Sequence, residues 1–130
     1  DSTLRVALEV TATLNNGTLT VSTTALPQMA INHNLDVTVL VKESGIVSPQ
    51  LQPDDTRDED YVHKNVLRAY VTDLWGESIG TAPIVVGDEL TANHTMAWDN
   101  TWVKENSAVV VYVSHPENYR ILQVVEVSID

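Results

Sequence analysis

At 130 residues and 43% hydrophobic content the chain is long enough to bury one core unaided, and the lack of cysteine excludes disulfides, thiolate nucleophiles, zinc-thiolate sites and iron–sulfur clusters. Eighteen acidic side chains against seven basic ones give a formal charge of −11, which repels phosphate backbones and anionic lipid surfaces and excludes nucleic acid as an expected partner. No apolar run approaches the ~18 residues of a membrane-crossing helix, and the opening Asp1-Ser2-Thr3 is what a processed chain, or a domain cut from a longer one, would show.

From Leu4 to Leu14 the alternation is clean, with Leu4, Val6, Leu8, Val10, Ala12 and Leu14 on one side and Arg5, Glu9, Thr11 and Thr13 on the other. Period two over this length predicts a strand with one wet face. Asn15-Asn16-Gly17 follows, and Asn-Gly supplies the positive φ angles of a tight hairpin. Leu19, Val21, Thr23 and Ala25 repeat the phase as the second strand, which Pro27 ends because it cannot donate a ladder hydrogen bond. A third strand is predicted over Leu35, Val37, Val39 and Val41.

Beyond residue 78 the pattern resumes as a strand from Ile79 to Val86, which Pro83 confines to an edge or a bulge, and Gly87-Asp88 makes a turn. Leu90, Ala92, His94, Met96 and Trp98 alternate with polar partners, and a polar connection through Trp102 leads to Ala108–Val113. That AVVVYV run is apolar at every position, so a central strand covered on both sides is expected. Ile121 to Ile129 forms the last strand. Seven or eight strands without a convincing helix predict one all-β domain over residues 1–130, a two-layer antiparallel β-sandwich of immunoglobulin-like type, with a small closed barrel as the alternative. Without phenylalanine the core falls to valine, leucine and isoleucine, leaving tryptophan and tyrosine to plug the ends.

The stretch from Glu43 to Glu77 carries the unusual chemistry. Asp54, Asp55, Asp58, Glu59 and Asp60 crowd around Arg57 in what reads as a loop, and such carboxylates can supply the oxygen ligands calcium requires. The spacing lacks the alternating ligands and central glycine of an EF-hand, so a solvated acidic loop is the competing reading and no cofactor is expected beyond a possible calcium ion. Tyr61 to Thr72 fits either period, and a strand with a bulge near Leu67 is favoured over a helix, whose apolar stripe of Val62, Val66, Ala69 and Tyr70 is narrower and of weak propensity. His63 on it has no second ligand at a fixed spacing, which favours a structural histidine. Arg68 is expected to bridge to the acidic loop or to Glu43, and Trp75-Gly76-Glu77 reads as a turn with an aromatic lid.

ESGIVSPQ (Glu43 to Gln50), DYVHKNVLRA (Asp60 to Ala69), WGESIG (Trp75 to Gly80), WDN (Trp98 to Asn100) and AVVVYV occur in an order that resembles the twenty-eight-kilodalton outer-membrane protein family of Bacteroidetes. The match runs from about Leu35 to the end, and its signature positions are Glu43, Gln50, His63, Arg68, Gly76 and Glu77. The resemblance implies the C-terminal β-sandwich of an envelope or surface lipoprotein, some relatives carrying a thioredoxin-like domain ahead of it. It implies an extracytoplasmic address, with a lipid anchor outside these residues, and no catalytic residues.

Three functions follow as expectations. The first is a non-catalytic envelope module that mediates protein contacts or positions a neighbouring domain. The second is a carbohydrate-binding module in which Trp75, Trp98 and Trp102 stack on sugar rings, Asp99 and Asn100 supply hydrogen bonds, and the indoles are exposed and roughly coplanar. The third is an enzyme, disfavoured because a Ser48-His63-Asp73 set can be drawn in any chain rich in serine and aspartate, and because acids on one loop are not a pair set across a cleft. Expected partners are therefore a protein or a glycan at the cell surface.

Overall fold

The computed structural model describes residues 5–44, 46–51, 57–63 and 66–130. Among these the strands are β1 (Val6–Asn15), β2 (Thr18–Pro27), β3 (Leu35–Glu43), β4 (Ile46–Leu51), β5 (Arg57–His63), β6 (Val66–Tyr70), β7 (Glu77–Gly80), β8 (Leu90–Ala97), β9 (Ser107–Ser114) and β10 (Ile121–Ser128). Eight of them build two antiparallel sheets. One has the order β1-β2-β8, and the other has the order β10-β9-β3-β6 with β7 also paired to β3. The predicted two-layer sandwich is observed; β4 and β5 pair only with each other.

The first hairpin forms for the reason its sequence supplies. Asn16 (φ 53°) and Gly17 (φ 79°) both take positive φ between the paired residues Asn15 and Thr18, the twist that lets right-handed strands pair without splaying. That register turns Leu19, Val21, Thr23 and Ala25 inward. They share one core with Leu35, Val37, Val39 and Val41 of β3 and Val109, Val111 and Val113 of β9. Each such valine withdrawn from water contributes about 1.5–3 kcal/mol against the conformational entropy of folding. The layers are tied at both flanks. Leu14 N donates to Asp130 O and Asp130 N to Ala12 O on one side, each at 2.9 Å, while on the other His94 Nε2 of β8 lies 3.5 Å from the Glu77 carboxylate of β7.

Four expectations need correction. The strand predicted from Ile79 to Val86 stops at Gly80, since Pro83 has no amide to continue a ladder, and Ile84 instead makes a single bridge to Ile31. The AVVVYV strand is central, between β10 and β3, but its Val109, Val111 and Val113 face is buried while Val110 and Tyr112 on the other are half-exposed, since among the described residues no second sheet packs over that side. The strand predicted from Tyr61 to Thr72 is two strands with different partners, β5 on β4 and β6 on β3. Finally, Asp58, Glu59 and Asp60 belong to β5 and not to a loop, because strand-favouring Ile46-Val47 and Tyr61-Val62 bring β4 and β5 into register.

One irregularity shapes the outer side of the five-stranded sheet. β6 and β7 lie end to end along the same side of β3, β6 against Leu40–Glu43 and β7 against Leu35–Val37. Between them the chain leaves the ladder, and Thr72 fills the gap: Val39 N donates to Thr72 Oγ1 at 3.1 Å, while Val71 N and Thr72 N donate to Val39 O. Residues 73–76 then lift over the sheet.

Candidate functional site

Where residues 73–76 lift off, a recess of about 220 Å³ opens on the outer face, lined by Thr38, Tyr70, Leu74, Trp75, Tyr112, Ser114, Tyr119 and Ile121. Its floor follows from strand alternation. Val37, Val39, Val111 and Val113 point into the core, so Thr38, Tyr112 and Ser114 take the opposite face, where Thr38 and Ser114 are nonetheless buried, and the β3–β9 register sets Thr38 directly beside Tyr112. Tyr70 enters from β6 opposite Leu40, and Ile121 from β10 opposite Ser114.

Two loops raise the walls. Gly76 (φ 87°) lies so close to β3 that a Cβ there would stand 2.8 Å from Thr38 Oγ1 and 3.1 Å from Val37 O. The missing side chain lets the loop press against the strand, and Trp75 projects from it with 66% of its surface exposed. Tyr119, 56% exposed, faces it from the β9–β10 loop, the rings tilted by 43° with centroids 5.3 Å apart. Tyr119 holds a left-handed backbone (φ 59°), uncommon for a residue with a side chain, and its loop is closed by His115 N donating to Arg120 O and Tyr119 N donating to His115 O. The His115 ring stacks on His33 at 4.0 Å, bracing that loop against the one before β3. The aromatic walls are therefore set before anything binds.

The residues singled out from sequence are distributed differently. Trp98 is half-buried against the core, edge-on to Trp102 at 5.2 Å, and its Nε1 donates to Trp102 O at 3.3 Å. These two indoles plug an end of the sandwich beside the three-stranded sheet, so the expected coplanar platform of three tryptophans is not formed and only Trp75 stands free. Asp99 Oδ1 accepts from the amide and hydroxyl of Thr101, at 2.9 and 2.7 Å, and these bonds hold its carboxyl below the ordinary aspartate range; Asn100 is exposed.

Among the signature residues, Arg68 Nε donates to Glu43 Oε1 at 2.9 Å, and Glu43 Oε2 accepts from Val103 N at 3.2 Å. Gly76 and Glu77 hold the Trp75 loop and the β7–β8 flank. The side chains of Gln50, His63, Asp58, Glu59 and Asp60, and the whole of Asp54 and Asp55, lie outside the described residues, so the calcium expectation falls there too. Among the described residues no three His, Asp or Glu side chains converge in a way that would hold a metal ion, and no helix is long and apolar enough to cross a membrane.

Sequence reasoning missed Tyr70, Tyr112, Tyr119 and Thr38. A signal was present: in a chain without phenylalanine, Tyr112 and Thr38 sit at the outward phase of two valine-rich strands.

Sandwich and recess together define an all-β module with a preformed aromatic recess on one sheet face. The family model for outer membrane protein Omp28 matches residues 1–130, and the chain belongs to that family. The family match thus takes in the first hairpin, which the resemblance seen from Leu35 onward had left out. The fold is similar to the crystal structure of a domain of the outer membrane lipoprotein Omp28 from Porphyromonas gingivalis, with a TM-score of 0.66 and 17% identity over 97% of this chain and 88% of that one. No curated protein matches the chain. The protein is accordingly a β-sandwich module of the bacterial envelope, with an outer-membrane, extracytoplasmic address.

Proposed function

We propose that the module is a non-catalytic recognition domain that engages its partner through the outer-face recess. The observation that carries this reading is the exposure of Trp75 opposite Tyr119 on loops locked in place. A large aromatic surface left in water forgoes the burial free energy it would gain in the core, and fixed rings of this kind supply contact area at low entropic cost. The lining also speaks for binding over chemistry, since among the described residues it consists of Thr, Ser, Tyr, Trp, Leu and Ile, with no carboxylate, imidazole or amine. Positioning of a neighbouring domain through the same surface would cover the recess and is the competing use.

The test is binding of the purified domain to outer membranes of the producing bacterium and to its shed surface polymer, immobilised on a sensor. Trp75→Ala should weaken retention about tenfold, the loss of one good aromatic contact, while Val86→Ser, at an exposed position outside the recess, leaves it unchanged. Equal retention of the Trp75 variant and the wild type would sink the reading.

A further inference from the structure

We infer that the occupant of the recess is one ring of an uncharged glycan, a proposal that rests on the recognition reading above. Three observations select this chemistry. First, among the described residues the lining pairs ring faces with hydroxyl groups: Tyr70, Tyr112 and Tyr119 supply phenols and Trp75 an indole around the opening, while the aliphatic hydroxyls of Thr38 and Ser114 lie buried at the floor. A pyranose ring presents the complementary surface. The C–H bonds of its apolar face carry slight positive charge that suits the electron-rich face of an indole or phenol, and its rim of hydroxyls both donates and accepts, as the protein hydroxyls do.

Second, charge argues against the alternatives. Among the described residues no cation lines the recess, and the whole chain carries −11, so carboxylated or sulfated sugars, phosphates and anionic lipid headgroups would enter against the field. Third, the backbone beneath the recess is already spent. The β3 and β9 strands at the centre of the floor pair with each other and with their flanking strands, so an extended peptide could add only along the outer strands β6 or β10 and not across the floor between them. The size fits a single ring: about 220 Å³ is below the usual volume of a drug-sized pocket, and the open sides let a chain continue past the site. With centroids 5.3 Å apart and a tilt of 43°, Trp75 and Tyr119 touch each other and form one bent aromatic wall on which a single ring can lie, unlike the flat platform expected from three coplanar tryptophans.

The experiment has two arms. In the first, the domain is titrated calorimetrically with neutral malto-, cello-, manno- and galacto-oligosaccharides; at least one series should bind, with Trp75→Ala and Tyr119→Ala each weakening it about tenfold and Val86→Ser leaving it unchanged. In the second, the immobilised outer membranes and surface polymer are treated with periodate, which opens sugar rings, or with proteinase K. Retention that survives the protease, fails after periodate and depends on Trp75 is the expected result. Retention that depends on Trp75 but is lost to protease and survives periodate overturns the glycan assignment and leaves the recognition reading standing. Retention indifferent to Trp75, or no binding by the wild type in either arm, overturns both.

Discussion

Arg68 occupies the extra position of a β-bulge, and from there its guanidinium reaches back across the sheet to the buried carboxylate of Glu43. Val41 pairs with Ala69 and Lys42 with Leu67, so Arg68 stands unpaired between them and its Nε donates to Glu43 Oε1 at 2.9 Å. A bulge turns one side chain away from the regular alternation, which here places a cation beside Glu43, the one charged side chain that is buried among the described residues, at 3% exposure. Because Glu43 also accepts from Val103 N, the pair fastens the β8–β9 connection to β3.

Removing the arginine should therefore cost more than removing the carboxylate's charge. Arg68→Met leaves a desolvated carboxylate with a single amide donor and is expected to destabilise by about 2–3 kcal/mol, below the fully buried range because Arg68 keeps 29% exposure. Glu43→Gln keeps a hydrogen-bond acceptor and should cost about 1 kcal/mol. Urea denaturation of both single variants and the double variant measures the coupling; purely additive effects would show that the pair holds nothing together.

Thr72 substitutes for a strand residue where β6 has ended and β7 has not begun. Thr72→Val keeps the shape but leaves the buried Val39 amide without its acceptor, an expected loss of about 1–3 kcal/mol. Thr72→Ser should recover most of it. Amide exchange at Val39 checks the cause, because its protection should fall in the valine variant and return in the serine variant.

Two glycines with similar φ should respond differently to alanine. At Gly17 (φ 79°) a Cβ meets nothing, so Gly17→Ala carries only the left-handed conformational penalty of about 1 kcal/mol. At Gly76 (φ 87°) the same penalty is joined by a collision with Thr38 Oγ1 and Val37 O, and about 2–4 kcal/mol is expected. Trp75 fluorescence, read in a variant with Trp98 and Trp102 replaced by phenylalanine, should shift on Gly76→Ala and stay constant on Gly17→Ala.

The tryptophans separate by role. Trp98→Ala should lower stability by about 2–3 kcal/mol, less than for a fully enclosed indole, whereas Trp75→Ala should stay within about 0.5 kcal/mol because its ring faces water. Acrylamide quenching offers a second reading: replacing Trp75 should remove the most readily quenched part of the emission.

Asp99 gives a pH prediction with a definite sign. Thr101's amide and hydroxyl favour the ionised carboxylate, so its folded pKa lies below the ordinary value. The turn's contribution is therefore complete above the ordinary aspartate pKa and is lost as pH falls through the lowered one. A carboxyl-carbon NMR titration should find the Asp99 midpoint depressed, and Thr101→Ala should move it back up.

Much of the architecture was legible because it rests on short-range rules. The period-two patterns of β1, β2, β3 and β8 named the inward residues, Asn16-Gly17 named the hairpin turn, and Pro27 marked the end of β2. The same local reasoning failed at Pro83, where the missing amide ended a strand outright, and along residues 57–63, where the acids suggested a loop but the apolar neighbours decided for a strand. Alternation carried the outward phase of Tyr112 as well, but the all-apolar AVVVYV run read as a strand covered on both sides.

What alternation could not show is that this outward phase is a site. Tyr70 and Trp75 belong to one stretch of the chain and Tyr112 and Tyr119 to another, and whether the two pairs meet depends on long-range register: β9 and β3 paired as neighbours, β6 and β7 placed end to end, and the β9–β10 loop closed around a left-handed Tyr119. A strand's sequence encodes which face a residue takes, since that follows from the pleat of its own backbone. The tertiary structure alone decides which strand lies beside it and what the loops set above it, since those depend on hydrogen bonds and packing between segments that local sequence does not relate. For this protein the first kind of information defined the sandwich, and the second kind brought the two pairs of aromatics into one recess.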